Sequence, residues 1–138
     1  MPLFAKNKRL QVQGFILKLV NNNCPELKAL AEGPRLDRRV NLTVVVLLIP
    51  IEQGELRVEQ AFTAVTKEFS STGVAVVLSE PRGLDEVILG FRWEGEMTFV
   101  RAKAKHLNPM GGGFYQLGFQ MTDMACAGDH PELQSVSF

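Results

Sequence analysis

The sequence predicts a mainly-β fold: a six-stranded antiparallel β-barrel with a helical segment before it and a short extension behind it. Three observations carry this. From residue 40 onward, apolar and β-branched runs of strand length recur at short intervals, each closed by a Gly, Pro, Asn or Ser signal. Before residue 40 the texture differs, and basic and apolar residues mix at helical spacing. The turns joining the strands are short, which suits a barrel or a sandwich. Closure leaves no exposed edge, which favours the barrel.

Residues 3–20 open the chain. Val12, Phe15, Ile16 and Leu19 fall on one face of a helix, although Leu10 and Val12 alternating with Gln11 and Gln13 also fit a strand. The helix is the favoured reading, packed against its own domain. Asn21 to Asn23 form a loop, and Pro25 and Glu26 start a short helix over 25–32 that Gly33 stops. Pro34 then favours extended chain, and residues 35–39 read Arg35-Leu36-Asp37-Arg38-Arg39.

The strands follow. The first spans 40–49, with Pro50 expected to end it and Gln53-Gly54 to turn the chain. The run 57–69 alternates near its end, and Ser70 to Gly73 make a tight turn. Residues 74–78 form a third strand, stopped by Pro81-Arg82-Gly83, and 86–93 a fourth, with a turn at Glu94-Gly95. The fifth spans 97–107, with Val100, Ala102 and Ala104 on one face and Arg101, Lys103 and Lys105 on the other. Asn108 to Gly113 is read as a loop, and 114–122 is the last strand. Its glycines lack the Lys-Ser/Thr and helix of a phosphate-binding loop. A short helix is expected around Pro131 to Val136. Residues 1–33 are thus a helical segment, and 34–138 the barrel with its tail.

Composition bounds the function. A chain of 138 residues fits one domain with a real core, and 46% hydrophobic and 22% charged residues are ordinary for a globular protein. Net charge is zero, which argues against a general nucleic-acid binder. The charge is uneven: residues 1–39 hold eight Lys/Arg against three Asp/Glu, and the remainder seven against twelve. Cys24, Cys126, His106 and His130 show no metal-ligand spacing, and free thiols in a reducing cytoplasm are the simplest reading. No apolar run reaches the roughly 18 residues of a transmembrane helix. His106, Glu94, Glu96 and Asp123 form no catalytic constellation, so an enzyme is not expected. Phe91, Trp93, Phe99, Phe114 and Phe119 sit at strand spacing and read as core rather than as base-stacking platforms.

Two stretches carry a resemblance. Arg35-x-x-x-Arg39 precedes Val40-x-Leu42, and Glu68-x-Ser70-x-x-Gly73 precedes Val74 about 30 residues later. Together they resemble the signatures of the PilZ domain: an R-x-x-x-R linker before the first barrel strand, and a D/N-x-S-x-x-G turn between the second and third. Gly118 in the last strand also fits, and the resemblance covers residues 34–122. It implies a six-stranded barrel that binds the bacterial second messenger cyclic di-GMP, often as an intercalated dimer, with no other cofactor, and that passes the signal to a protein partner. By motif position Arg35 and Arg39 clamp guanine edges and phosphates, and Ser70 and Gly73 shape the turn and meet a guanine.

The chemistry is consistent with that implication. Arginine pairs bidentately with guanine O6 and N7, stacks on bases and contacts phosphate. Ser70 offers a hydroxyl, and Gly73 permits either close approach or a positive φ. Arg38 is a further cation for phosphate or solvent. Glu68 keeps the acceptor for guanine N–H groups but is one methylene longer than the Asp or Asn of the family. That departure motivates a second reading, a barrel of the same fold that binds no nucleotide and works by protein–protein contact.

Overall fold

A computed structural model of the chain describes residues 10–16, 40–93, 95–125 and 130–135, apart from the side chains of Trp93, Gln134 and Ser135. The helix expected over 25–32 and the arginine stretch lie outside the described residues. A helix, α1, spans 10–16. Eight strands follow: β1 (Val40–Asn41), β2 (Val45–Glu52), β3 (Glu55–Leu56), β4 (Phe62–Phe69), β5 (Gly73–Leu78), β6 (Glu86–Trp93), β7 (Glu96–Gly111) and β8 (Phe114–Ala125). Among the described residues no helix is long and apolar enough to cross a membrane.

Six of these strands close a barrel. Antiparallel pairing runs β4–β5–β8–β7–β6–β2, and β2 returns to β4. The short β1 adds to β4 and the short β3 to β2. Strand alternation sends Val46, Leu48, Val76, Leu89, Val100 and Phe119 inward, all at 5% exposure or less. α1 adds Val12, Phe15 and Ile16 to the same core. The Phe15 ring lies 5.4 Å from Phe91, which lies 6.1 Å from Phe69. The helix therefore covers the barrel core at the Phe69–Phe91 end, as the packed reading of its apolar face expects.

The outer face of β2 is also buried. Leu47, Ile49 and Ile51 join Ile88, Phe99 and Leu133 in a second apolar cluster. This explains why residues 46–51 are continuously apolar rather than alternating: that stretch is covered on both faces, whereas Val45 just before it is 48% exposed. Leu133 reaches it from a 3-10 turn at Pro131–Ser135, the expected C-terminal helix in shorter form. Burying a leucine side chain contributes about 1.5–3 kcal/mol toward holding this segment against the barrel. Gly90 sits opposite Phe99, and a Cβ on it would stand 3.1 Å from that ring. The missing side chain makes room for the aromatic one.

Four local expectations are corrected. Pro50 does not end its strand: β2 continues to Glu52 and pairs Pro50 with Val87. The Pro50 carbonyl accepts Arg57 N–H at 2.8 Å, so that side of the residue faces away from β6. The last β2–β4 pair is Leu48 with Phe62, so the missing Pro N–H points where β4 has already diverged. The run 57–69 is not one strand, because a 3-10 turn at Val58–Gln60 precedes β4. Residues 108–111 belong to β7, since glycines 111, 112 and 113 all adopt positive φ and turn the hairpin tightly. Phe114 at that turn is 49% exposed, whereas Phe91, Phe99 and Phe119 are core as expected.

The predicted strand 40–49 is broken at 42–44, for a reason that matters to the site. Val40 pairs with Phe69 but Val45 with Val65, a register change of one residue against β4. Thr66, buried to 1% exposure, bridges the break. Its Oγ1 accepts Val44 N–H at 2.9 Å and donates to the Leu42 carbonyl at 2.7 Å. A threonine side chain replaces the ladder bonds that the break removes.

Candidate functional site

Strand alternation alone would bury Glu68. Phe62, Ala64 and Thr66 point inward, so residue 68 should follow them into the core. A β-bulge between Thr66 and Glu68 resets the phase. Glu68 then pairs with Ala75 and faces outward, while Phe69 turns in and is fully buried. A second bulge does the same on β7. Val100, Ala102 and Ala104 point inward, and the irregularity between Ala104 and His106 swings His106 outward opposite Gly118. Without it the imidazole would enter the barrel.

The two bulges frame a groove on the outer face of the barrel. Its volume is about 460 Å³, within the range of small-molecule sites. Its floor is low because Gly73, Ala75 and Gly118 present little or no side chain there. Glu68 and Ser70 stand on one side, and Lys105, His106 and Asn108 on the other. Gln116 and Gln120 of β8 complete the polar lining.

The turn at 70–72 is closed by Ser70 and Gly73. Ser70 N–H donates to the Gly73 carbonyl at 2.9 Å, and Gly73 N–H donates to Ser70 Oγ at 3.1 Å. Gly73 does not adopt positive φ, so close approach is what it provides: a Cβ there would stand 2.8 Å from Ser70 Oγ. Thr72 ties the turn to β8, its carbonyl accepting Met121 N–H at 2.7 Å and its hydroxyl accepting Gln120 Nε2 at 2.6 Å. The Ser70 hydroxyl proton remains able to donate into the groove.

Of the residues singled out from sequence, Glu68, Ser70 and Gly73 line this one groove together. Arg35, Arg38 and Arg39 lie outside the described residues. Their attachment point does not: Arg39 is bonded to Val40, and Val40 pairs with Phe69, between Glu68 and Ser70. Sequence reasoning missed Lys105, His106, Asn108, Gln116, Gln120 and Ala75 as lining of this groove. A signal existed. The apolar positions step from 100, 102 and 104 to 107, and from 62 and 64 to 69, and each even-to-odd jump marks a bulge.

The comparisons bear on this fold. No protein-family model matches the sequence, and no curated protein does. Among solved structures, the chain is similar to the Bacillus subtilis inhibitor of motility MotI/DgrA, a PilZ-domain protein. Identity is 17% and the TM-score 0.50; the match covers 70% of this chain and 46% of that one. The barrel is of PilZ type. The chain thus spans less than half the length of that neighbour, and at this identity the likeness concerns the fold alone.

Proposed function

We propose that this chain is a non-enzymatic receptor for cyclic di-GMP, working as a PilZ-like regulator in a bacterial cytoplasm. The observation that carries the reading is the groove between the two bulges. It gathers Glu68, Ser70 and Gly73 beside the point where the arginine stretch joins the barrel. The chemistry fits the ligand. Glu68 accepts from guanine N1–H and N2–H, the Ser70 hydroxyl donates to a guanine or phosphate oxygen, and the flat floor at Ala75 and Gly118 admits a base. Arg35 and Arg39 supply the charge for phosphates and forks for guanine, with Arg38 as a further cation. An intercalated ligand dimer, as the family resemblance implies, would extend beyond the groove onto these arginines.

Signalling follows from connectivity. Val40, the first residue after the arginines, shares the barrel core with Phe69 and with Val12, Phe15 and Ile16 of α1. A ligand that draws residues 35–39 onto the groove biases the segment between α1 and β1. It shifts the population toward the arrangement it contacts better, and a protein partner reads that arrangement. That the structural neighbour is an inhibitor of motility supports a regulatory reading of the fold.

Calorimetry with cyclic di-GMP tests the proposal. The wild-type chain should bind at micromolar ligand or tighter, and Arg35→Ala and Arg39→Ala should bind far more weakly. Absence of heat at tens of micromolar, or arginine variants that bind undiminished, would sink it. Glu68 in place of the family's Asp or Asn favours the second reading, a nucleotide-free adaptor. That reading predicts a partner captured equally well with or without cyclic di-GMP and with Arg39→Ala.

A further inference from the structure

The cyclic di-GMP reading leans on the arginine side of the groove; the β7 side carries an inference of its own, which rests on that reading. Residues 40–138 are acidic, with seven Lys/Arg against twelve Asp/Glu. The groove reverses this. Glu68 is its one carboxylate among the described residues, and Lys105 and His106 face it from β7. Lys67 adds a third basic side chain at the rim, its Nζ donating to Gln116 Oε1 at 3.1 Å.

Three of the groove's other polar side chains each already make one hydrogen bond. Gln120 donates to Thr72, Gln116 accepts from Lys67, and Ser70 Oγ accepts Gly73 N–H. Lys105, His106 and Asn108 make no side-chain hydrogen bond or ion pair among the described residues. A regular strand would also have separated the first two, sending one side chain in and the other out. The bulge turns both to the same cavity, which is the re-aiming of side chains that bulges provide beside binding sites.

We propose that Lys105 and His106 form a second phosphate-binding wall, holding a phosphate of the dinucleotide from the β7 side of the groove, across from the β4 side where Val40 pairs with Phe69. The ammonium of Lys105 supplies a charge-assisted hydrogen bond to a non-bridging oxygen, and a His106 ring N–H supplies another donor. The backbone diester is thereby held at both sides, and the bases are left to Glu68, Ser70 and the floor.

The test is cyclic di-GMP titration of the full chain at several salt concentrations, with wild type, Lys105→Gln, Lys105→Arg and His106→Gln. All three substitutions are at exposed positions and should leave the melting temperature unchanged. Lys105→Gln should weaken binding about tenfold and make the affinity less sensitive to salt, because a charge contact that salt screens has been removed. Lys105→Arg should retain near wild-type affinity, and His106→Gln should weaken binding severalfold. If wild type binds and Arg39→Ala does not, but Lys105→Gln and His106→Gln match wild type in affinity and salt slope, the second wall is overturned and the groove reading stands. If wild type itself does not bind, both fall.

Discussion

Replacing Gly73 by Ala should destabilise the wild-type barrel but not a barrel that already carries Ser70→Ala. The added Cβ would stand 2.8 Å from Ser70 Oγ and 3.5 Å from the Phe119 carbonyl. The second distance is ordinary contact. The first forces the serine to swing away and break the hydrogen bond that its Oγ accepts from Gly73 N–H. Losing that bond costs about 0.5–1.5 kcal/mol. Holding the serine off its rotamer costs about 0.5–1.5 kcal/mol more. Alanine also restricts the unfolded chain, which returns about 0.4–1 kcal/mol because Gly73 does not need positive φ. The net loss is about 1–2 kcal/mol.

With Ser70 already replaced by Ala, the clash and the bond are both gone. Gly73→Ala then becomes neutral, or stabilising by up to about 1 kcal/mol. Thermal and urea unfolding of the four proteins close a double-mutant cycle with a coupling energy of about 1–3 kcal/mol. For a chain of this size each kcal/mol moves the melting temperature by about 3–5 °C, which such scans resolve. Equal losses for Gly73→Ala in both backgrounds would refute the account of why the turn carries Ser at 70 and Gly at 73.

Other outcomes follow from single contacts. Thr66→Val keeps the shape but leaves Val44 N–H and the Leu42 carbonyl without their partner, and should cost about 2–3 kcal/mol in urea unfolding. Gly118→Leu meets no backbone nearer than 4.0 Å at its Cβ, so the melting temperature should hold while cyclic di-GMP binding is lost in a titration. Leu133→Ala should cost about 2–4 kcal/mol and expose Leu47, Ile49 and Ile88 to a hydrophobic dye, because Leu133 is 1% exposed against them.

The barrel was legible because its strands advertise themselves. The β-branched run before Pro50, the alternation of Val100, Ala102 and Ala104, and the turns at Gln53-Gly54 and Ser70–Gly73 each name an element on local grounds. The inward helix face was equally legible in the spacing of Val12, Phe15 and Ile16. Less so were features set by partners distant in sequence. Pro50 can stay in a strand because β4 has diverged on its nitrogen side, and β2 can be apolar on both faces because Leu133, with Val58 and Ala61, packs over the outer one. The site divided along the same line. Glu68, Ser70 and Gly73 were found from one contiguous turn. Lys105, His106 and Asn108 were not, since the bulge that turns His106 outward opposite Gly118 left only a one-residue phase jump in the apolar pattern of β7 as its trace.

The central claim is that cyclic di-GMP occupies the groove between the two bulges, and its location is the most direct thing to measure. Backbone amide shifts of the labelled chain, followed during addition of cyclic di-GMP, report it residue by residue. The account predicts saturable shifts concentrated at 68–75, 105–108 and 116–120, with little change at 47–51 and 131–135 on the other apolar face. Shifts that cluster at that other face, or spectra that do not change at all, would contradict it.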